Sequence, residues 1–243
     1  MQMSLYKSLQ SIGFFLWNIT ILPFLVLITK PFHSINYQIF CEYVITQYKI
    51  KQRITCDQSL IEQGYILANH RSWFDFVFDT TMSKASVLGR REAFWAVYFF
   101  AYLGYLDNRI ISFIRGKEKR HDLFLRIKQH MNQTEYKRIL FWPEGTRLKH
   151  THLESAGDAK SYLKFGLLKC IYEDKQFPVQ LQISNNKELV FDEKRLHIQY
   201  GVCVNTHRSK SIHPKDFATE EAFYDEIAKV WYHCWKITHE DVH

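Results

Sequence analysis

Tyr65-Ile66-Leu67-Ala68-Asn69-His70-Arg71-Ser72-Trp73-Phe74-Asp75 is the stretch on which the fold turns. Its first four residues form an apolar run, the pattern of a short buried strand. A histidine follows almost at once, and four residues separate it from a carboxylate. Further along, Arg138-Ile139-Leu140-Phe141-Trp142 reads as a second strand, and it leads into Pro143-Glu144-Gly145-Thr146-Arg147. In open α/β sheets, sites gather beyond the C-terminal ends of the strands. Both polar segments occupy such positions in this reading.

Other elements alternate around these two. Ser86-Val87-Leu88, residues 110–114, residues 178–183 and residues 197–204 are strand candidates. Helical spacing of apolar residues runs through 117–131, 159–172 and 219–237. Thr219 is a plausible cap for the last helix, though its capping box is incomplete. Alternating strands and helices predict an α/β fold, a mixed and mostly parallel sheet flanked by helices. The chain shows no internal repeat, low-complexity tract or Gly/Ser-rich linker. We expect an N-terminal membrane-associated helical segment over residues 1–54 and one α/β domain over 55–243.

The N-terminal expectation rests on Gly13 to Thr29, an apolar run interrupted only by Asn18 and Pro23. A spanning helix takes roughly 20 apolar residues, so the run is at the short edge. Trp17 and the phenylalanines suit an interfacial position, and no small-residue cleavage site follows. An anchor that spans or only dips into the bilayer is the leading reading; a buried core helix and an uncleaved targeting signal are the others. Residues 35–51 form a second amphipathic helix, packed back on the anchor as a hairpin or lying in the core.

A net charge of +7 suits anionic partners: a phospholipid surface, a phosphorylated substrate or nucleic acid. No nucleic-acid-binding motif is present, and the aromatics do not interleave with basic residues as a stacking platform would. No nucleic acid is therefore expected as a partner. Five scattered cysteines without a CxxC pair argue against a disulfide framework or zinc ribbon. They fit a domain facing the reducing cytosol. The twelve histidines include no HExxH, and no metal is expected.

His70 is the side chain suited to take and return a proton near neutral pH. A hydroxyl nucleophile needs such a base. Asp75 is close enough to hold the other ring nitrogen if the segment enters a helix, as the aspartate of a hydrolase triad does. The blander reading caps a helix with His70 and pairs Asp75 with Arg71 at the surface. Asp79 is a second nearby carboxylate, read as a decoy. In the second segment Gly145 permits a sharp turn, and Arg147 offers a planar fork for a phosphate. Thr146 adds a hydroxyl donor, and Glu144 bonds a substrate hydroxyl or holds the loop.

Taken together, His70 to Asp75 and Glu144 to Arg147 resemble the HxxxxD and EGTR motifs of the glycerolipid acyltransferases, enzymes of the 1-acyl-glycerol-3-phosphate acyltransferase type. Phe113-Ile114-Arg115-Gly116 lies where that family has an intermediate block, without the usual aspartate before the arginine. Phe177-Pro178-Val179-Gln180 and Lys164-Phe165-Gly166 are weaker matches. The resemblance covers Tyr65 to Ile183. It implies catalysis by His70 and Asp75, and substrate binding by Glu144, Gly145, Thr146, Arg147 and Arg115. It also implies an acyl-CoA or acyl-carrier-protein donor, a lysophospholipid acceptor at the membrane, and no further cofactor. The matched Arg147 favours lysophosphatidic acid. Another head group, such as lysophosphatidylinositol or lysophosphatidylglycerol, and a silent scaffold on the same fold are the alternatives.

Overall fold

Strand β2 (Gly64–Ala68) is buried along its whole length and lies at the centre of the sheet. The computed structural model describes residues 9–14, 16–30, 35–95, 97–147, 152–192 and 197–239. Alternate residues of β2 feed two cores. Ile66 and Ala68 join Phe40, Val44, Phe74 and Phe78 on one face. Tyr65 and Leu67 join Phe124, Ile127, Phe223 and Trp231 on the other. A strand covered on both sides must be apolar at successive positions, which is why this run lacks polar alternation.

In chain order the described elements begin with α1 (Leu9–Thr29), α2 (Tyr37–Gln47), β1 (Lys51–Cys56), β2, α3 (Asp75–Ser83) and β3 (Ser86–Arg90). Next come α4 (Arg91–Trp95), α5 (Tyr98–Leu106), β4 (Ile110–Phe113), α6 (Arg120–Gln133) and β5 (Arg138–Phe141). Then follow α7 (Ala156–Tyr162), α8 (Gly166–Asp174), β6 (Val179–Ser184), α9 (Lys187–Val190), β7 (Phe191–Asp192), β8 (His197–Ile198), β9 (Cys203–Arg208) and α10 (Glu220–His239). The main sheet has the order β1-β9-β6-β2-β5-β3-β4. Strands β2 to β6 are mutually parallel. β9 pairs antiparallel with β6 and parallel with β1. Strands β7 and β8 form a separate two-stranded ribbon.

The α/β sheet, mixed and mostly parallel, is as expected; several details differ. The boundary expected between residues 54 and 55 falls inside β1, whose six residues pair with Cys203 to Arg208. Helix α2 is a core helix, burying Tyr37, Phe40, Cys41, Val44 and Ile45 and packing on α3. The helix expected over 159–172 is two, because Leu163 is extended and Lys164 N donates to Pro143 O at 2.9 Å. The strand expected over 197–204 divides into β8 and the start of β9, with Gly201 in the left-handed region between them. Thr219 does cap α10: its Oγ1 accepts from Ala222 N. Helices α3, α4 and α5 lack a signal in the sequence pattern, since apolar residues occupy more than one of their faces.

Helix α1 carries no charged residue over Leu9–Thr29, and its 21 residues reach about 31 Å at the helical rise. That is long and apolar enough to cross a membrane. It passes through a π turn at Trp17–Ile21, where the buried Asn18 side chain donates to Phe14 O. Leu16, Trp17, Ile21, Phe24, Leu25 and Ile28 stay exposed, and the helix lies against α5.

Candidate active site

Five parallel strands end at one edge of the sheet, and each delivers side chains there. β2 leads to His70, β3 ends on Arg90, β4 leads to Arg115, β5 to Glu144 and Arg147, and β6 to Lys187. Asn69 couples the first and last of these. Its side chain donates to Ser184 O and accepts from Ser184 N, at 2.7 and 2.9 Å.

The segment from His70 to Asp75 winds around one carboxylate. Asp75 Oδ2 accepts from His70 Nδ1 at 2.7 Å, from Arg71 N at 2.5 Å and from Ser72 N at 3.1 Å. Ser72 Oγ donates to Asp75 Oδ1 and accepts from Phe74 N. An ionised carboxylate only accepts, so the proton of the neutral imidazole sits on Nδ1, and Nε2 keeps its lone pair. The ring stacks on Trp142, with centroids 4.9 Å apart.

Asp75 is fully buried. Burial alone would raise its carboxyl, but the Lys187 ammonium and the His70 and backbone hydrogen bonds hold it below the usual carboxylate range. Lys187, also without exposure, donates to Asn69 O at 2.6 Å and to Asp79 Oδ2 at 2.9 Å, and lies 3.6 Å from Asp75 Oδ1. Asp79 also accepts from Trp142 Nε1 at 2.8 Å. Burial pushes Asp79 up to about 6, against the pull of Lys187. Burial would lower Lys187, but the two aspartates hold its ammonium above the usual lysine range.

Glu144 is 3% exposed, and both its oxygens are engaged by protein. Oε2 accepts from His70 N at 2.5 Å, and Oε1 accepts from Arg71 Nη1 at 3.3 Å. Of the two roles read for Glu144, these bonds are those of a residue that holds the loop, since it clasps the two motif segments; Arg71 pairs with it in the interior, where the blander reading set Arg71 against Asp75 at the surface. Burial pushes the Glu144 carboxyl up to about 7 despite Arg71.

A cavity of about 660 Å³ opens beside His70. Arg90, Arg115, Arg120, Arg147 and Lys164 line it. Glu118, the acidic lining residue, is already paired with Arg126. Leu88, Phe113, Leu123 and Leu167 supply apolar wall. Arg147 lies over the Trp73 ring at 4.8 Å. Gly145 takes a φ of +67°, and a Cβ there would stand 3.0 Å from the Lys164 side chain, so a side chain at this turn would crowd that cation. Arg90 Nη2 donates to Gly145 O at 2.8 Å, fixing the same turn from β3. Thr146 also borders the cavity.

The structure thus brings His70, Asp75, Gly145, Thr146, Arg147 and Arg115 to one place. Sequence reasoning missed Arg90, Lys187 and the lock that Trp142 and Asp79 make. Arg90 and Lys187 each follow a strand candidate, so the rule that found His70 could have found them. Among the described residues, Asp57, His207 and His233 bring possible metal-ligand atoms within 4.8 Å of one another. Asp57 follows β1 and His207 lies in β9, strands that run opposite to those that deliver His70, and His233 comes from α10.

Comparison with known proteins agrees with this fold. The chain is similar in fold to the 1-acyl-sn-glycerophosphate (LPA) acyltransferase PlsC from Thermotoga maritima, with a TM-score of 0.65 and 15% identity over 100% of this chain and 99% of that one. No curated protein matches the sequence. The family model described as Acyltransferase matches residues 49–178, more than half of the chain, and the protein belongs to that family.

Proposed function

We propose that this acyltransferase moves a fatty acyl group from acyl-CoA, or an acyl-carrier protein, to the free hydroxyl of a lysophospholipid, with 1-acyl-glycerol-3-phosphate as acceptor and phosphatidic acid as product. The observation that carries this reading is His70 on the wall of a cavity lined by five cations and apolar side chains, with the buried Asp75 carboxylate 2.7 Å behind its ring.

His70 Nε2 takes the acceptor's proton as its oxygen attacks the thioester carbonyl. Asp75 orients the ring and stabilises the imidazolium. Collapse of the tetrahedral species breaks the carbon–sulfur bond, and the imidazolium returns its proton to the departing thiolate. No protein nucleophile is needed. Arg115 and Arg147 are assigned to the acceptor phosphate, with Arg90, Arg120 and Lys164 adding field for the anionic substrates. The uncharged helix α1 serves as the membrane anchor, with the catalytic domain on the cytosolic side.

Acyl transfer from labelled oleoyl-CoA to a panel of lysophospholipids, with wild type and His70→Ala, tests this. Product from wild type alone, and with lysophosphatidic acid, supports both chemistry and acceptor. Product with a different head group keeps the chemistry and replaces the acceptor. Equal product from His70→Ala overturns the mechanism.

A further inference from the structure

Helices α4 and α5 expose an aromatic stripe that the chemistry above does not use. Trp95, Tyr98, Tyr102 and Leu106 are 66, 51, 45 and 48% exposed. Tyr98, Tyr102 and Leu106, four residues apart, lie along one face of α5, and Trp95 ends α4 just before them. The rings form a row: Trp95 stacks with Tyr98 at 6.0 Å, and Tyr98 with Tyr102 at 6.1 Å. No charged residue occurs between Trp95 and Leu106. Solvent-facing apolar surface of this extent marks an interaction site.

Two neighbours say what it meets. Helix α1 lies against α5 through Phe24 and Phe99, with centroids 5.1 Å apart, so the stripe continues the exposed apolar face of Trp17, Ile21, Leu25 and Ile28. On the other side the surface runs into the cavity: Arg90 and Ala93, just before Trp95, line it. Tryptophan and tyrosine combine an apolar ring with a polar tip, a composition suited to the headgroup boundary of a bilayer.

We infer that the Trp95–Tyr98–Tyr102–Leu106 stripe is a second bilayer contact, which with α1 docks the domain so that the cavity opens at the lipid interface. The inference rests on the acyltransferase reading for its purpose. The docked partner is a phospholipid surface.

The experiment uses the full-length protein with phosphatidylcholine–phosphatidylglycerol vesicles. Brominated lipids should quench Trp95, read as the difference between wild type and Trp95→Phe, in which Trp17 cancels. The double variant Tyr98→Glu, Tyr102→Glu should acylate vesicle-borne lysolipid about tenfold more slowly, since charge on a lipid-facing position opposes docking. Its rate on a short-chain acceptor below the micelle threshold should equal that of wild type. Unquenched Trp95 on vesicle-bound protein overturns the proposal, and so does an equal loss on both acceptors. A change in mass of the double variant by light scattering, without quenching, assigns the stripe to a second copy and also overturns it. If wild type acylates neither acceptor, the acyl-transfer reading fails, and quenching still decides the docking.

Discussion

Lys187 and Asp79 lie 108 residues apart in the chain and are joined at 2.9 Å with no exposure of either. The pair stands directly behind Asp75, 3.6 Å from Lys187 Nζ. Two carboxylates and one ammonium in a sealed space are tolerable only together. Removing one partner leaves an uncompensated charge in the interior, while removing a balanced pair does not.

Lys187→Met should therefore destabilise the fold by about 3–5 kcal/mol, the range for breaking a buried ion pair. Adding Asp79→Asn removes one of the two stranded carboxylates and should recover a large part of that loss. Urea unfolding of the single and double variants measures the coupling. Additive losses would show that Lys187 and Asp79 do not act as a unit.

Asp75→Asn keeps an acceptor for the Arg71 and Ser72 amides but removes the charge that faces the imidazolium. The corresponding change in a hydrolase triad costs about 10⁴ in turnover, and a loss of roughly that order is expected in the oleoyl-CoA assay. An unchanged rate would remove Asp75 from the mechanism.

Arg115→Ala and Arg147→Ala should each raise the KM for a phosphate-bearing acceptor about 10- to 100-fold, the worth of a charge-assisted hydrogen bond of about 1.5–3 kcal/mol. Turnover at saturation should change much less. Steady-state kinetics over a range of acceptor concentrations separates the two, and a fall confined to kcat would assign these arginines another role.

Glu144 gives a stability test with a defined pH window. Its carboxyl is held at about 7 by burial, against 4.5 for an ordinary glutamate. Between those values the folded state binds the proton more tightly than the unfolded one, so this group's contribution falls as pH rises from 4.5 to 7. Glu144→Gln does not titrate. Its stability relative to wild type should rise across that window and level off above it. Urea midpoints taken at half-unit pH steps would show this, and a difference independent of pH would contradict it.

Much of the site is local in the chain and legible for that reason. His70 and Asp75 are separated by a single loop entering α3, so the bond between them needs only the turn that Ser72 makes. The short apolar runs before His70 and Glu144 identify strands, because a strand buried on both faces has few polar positions. Gly145 and Arg147 could be read from the turn at the end of β5. The apolar length of α1 is likewise written in composition.

Other features exist only once the sheet has assembled. Arg90 meets the Gly145 carbonyl because β3 and β5 are neighbours, and Lys187 reaches Asp79 because β6 lies beside β2. Neither adjacency has a marker in the sequence, since pairing register is set by burial across many residues at once. The same holds for Glu144: the resemblance implies a substrate contact and the residues alone left a loop-holding role open, and it is the packing against His70 N and Arg71 that turns it inward. The sequence by itself determined the chemical groups and the strands that carry them. The tertiary structure decided which charges are sealed together and which face the cavity, because desolvation depends on neighbours that only the packed fold supplies.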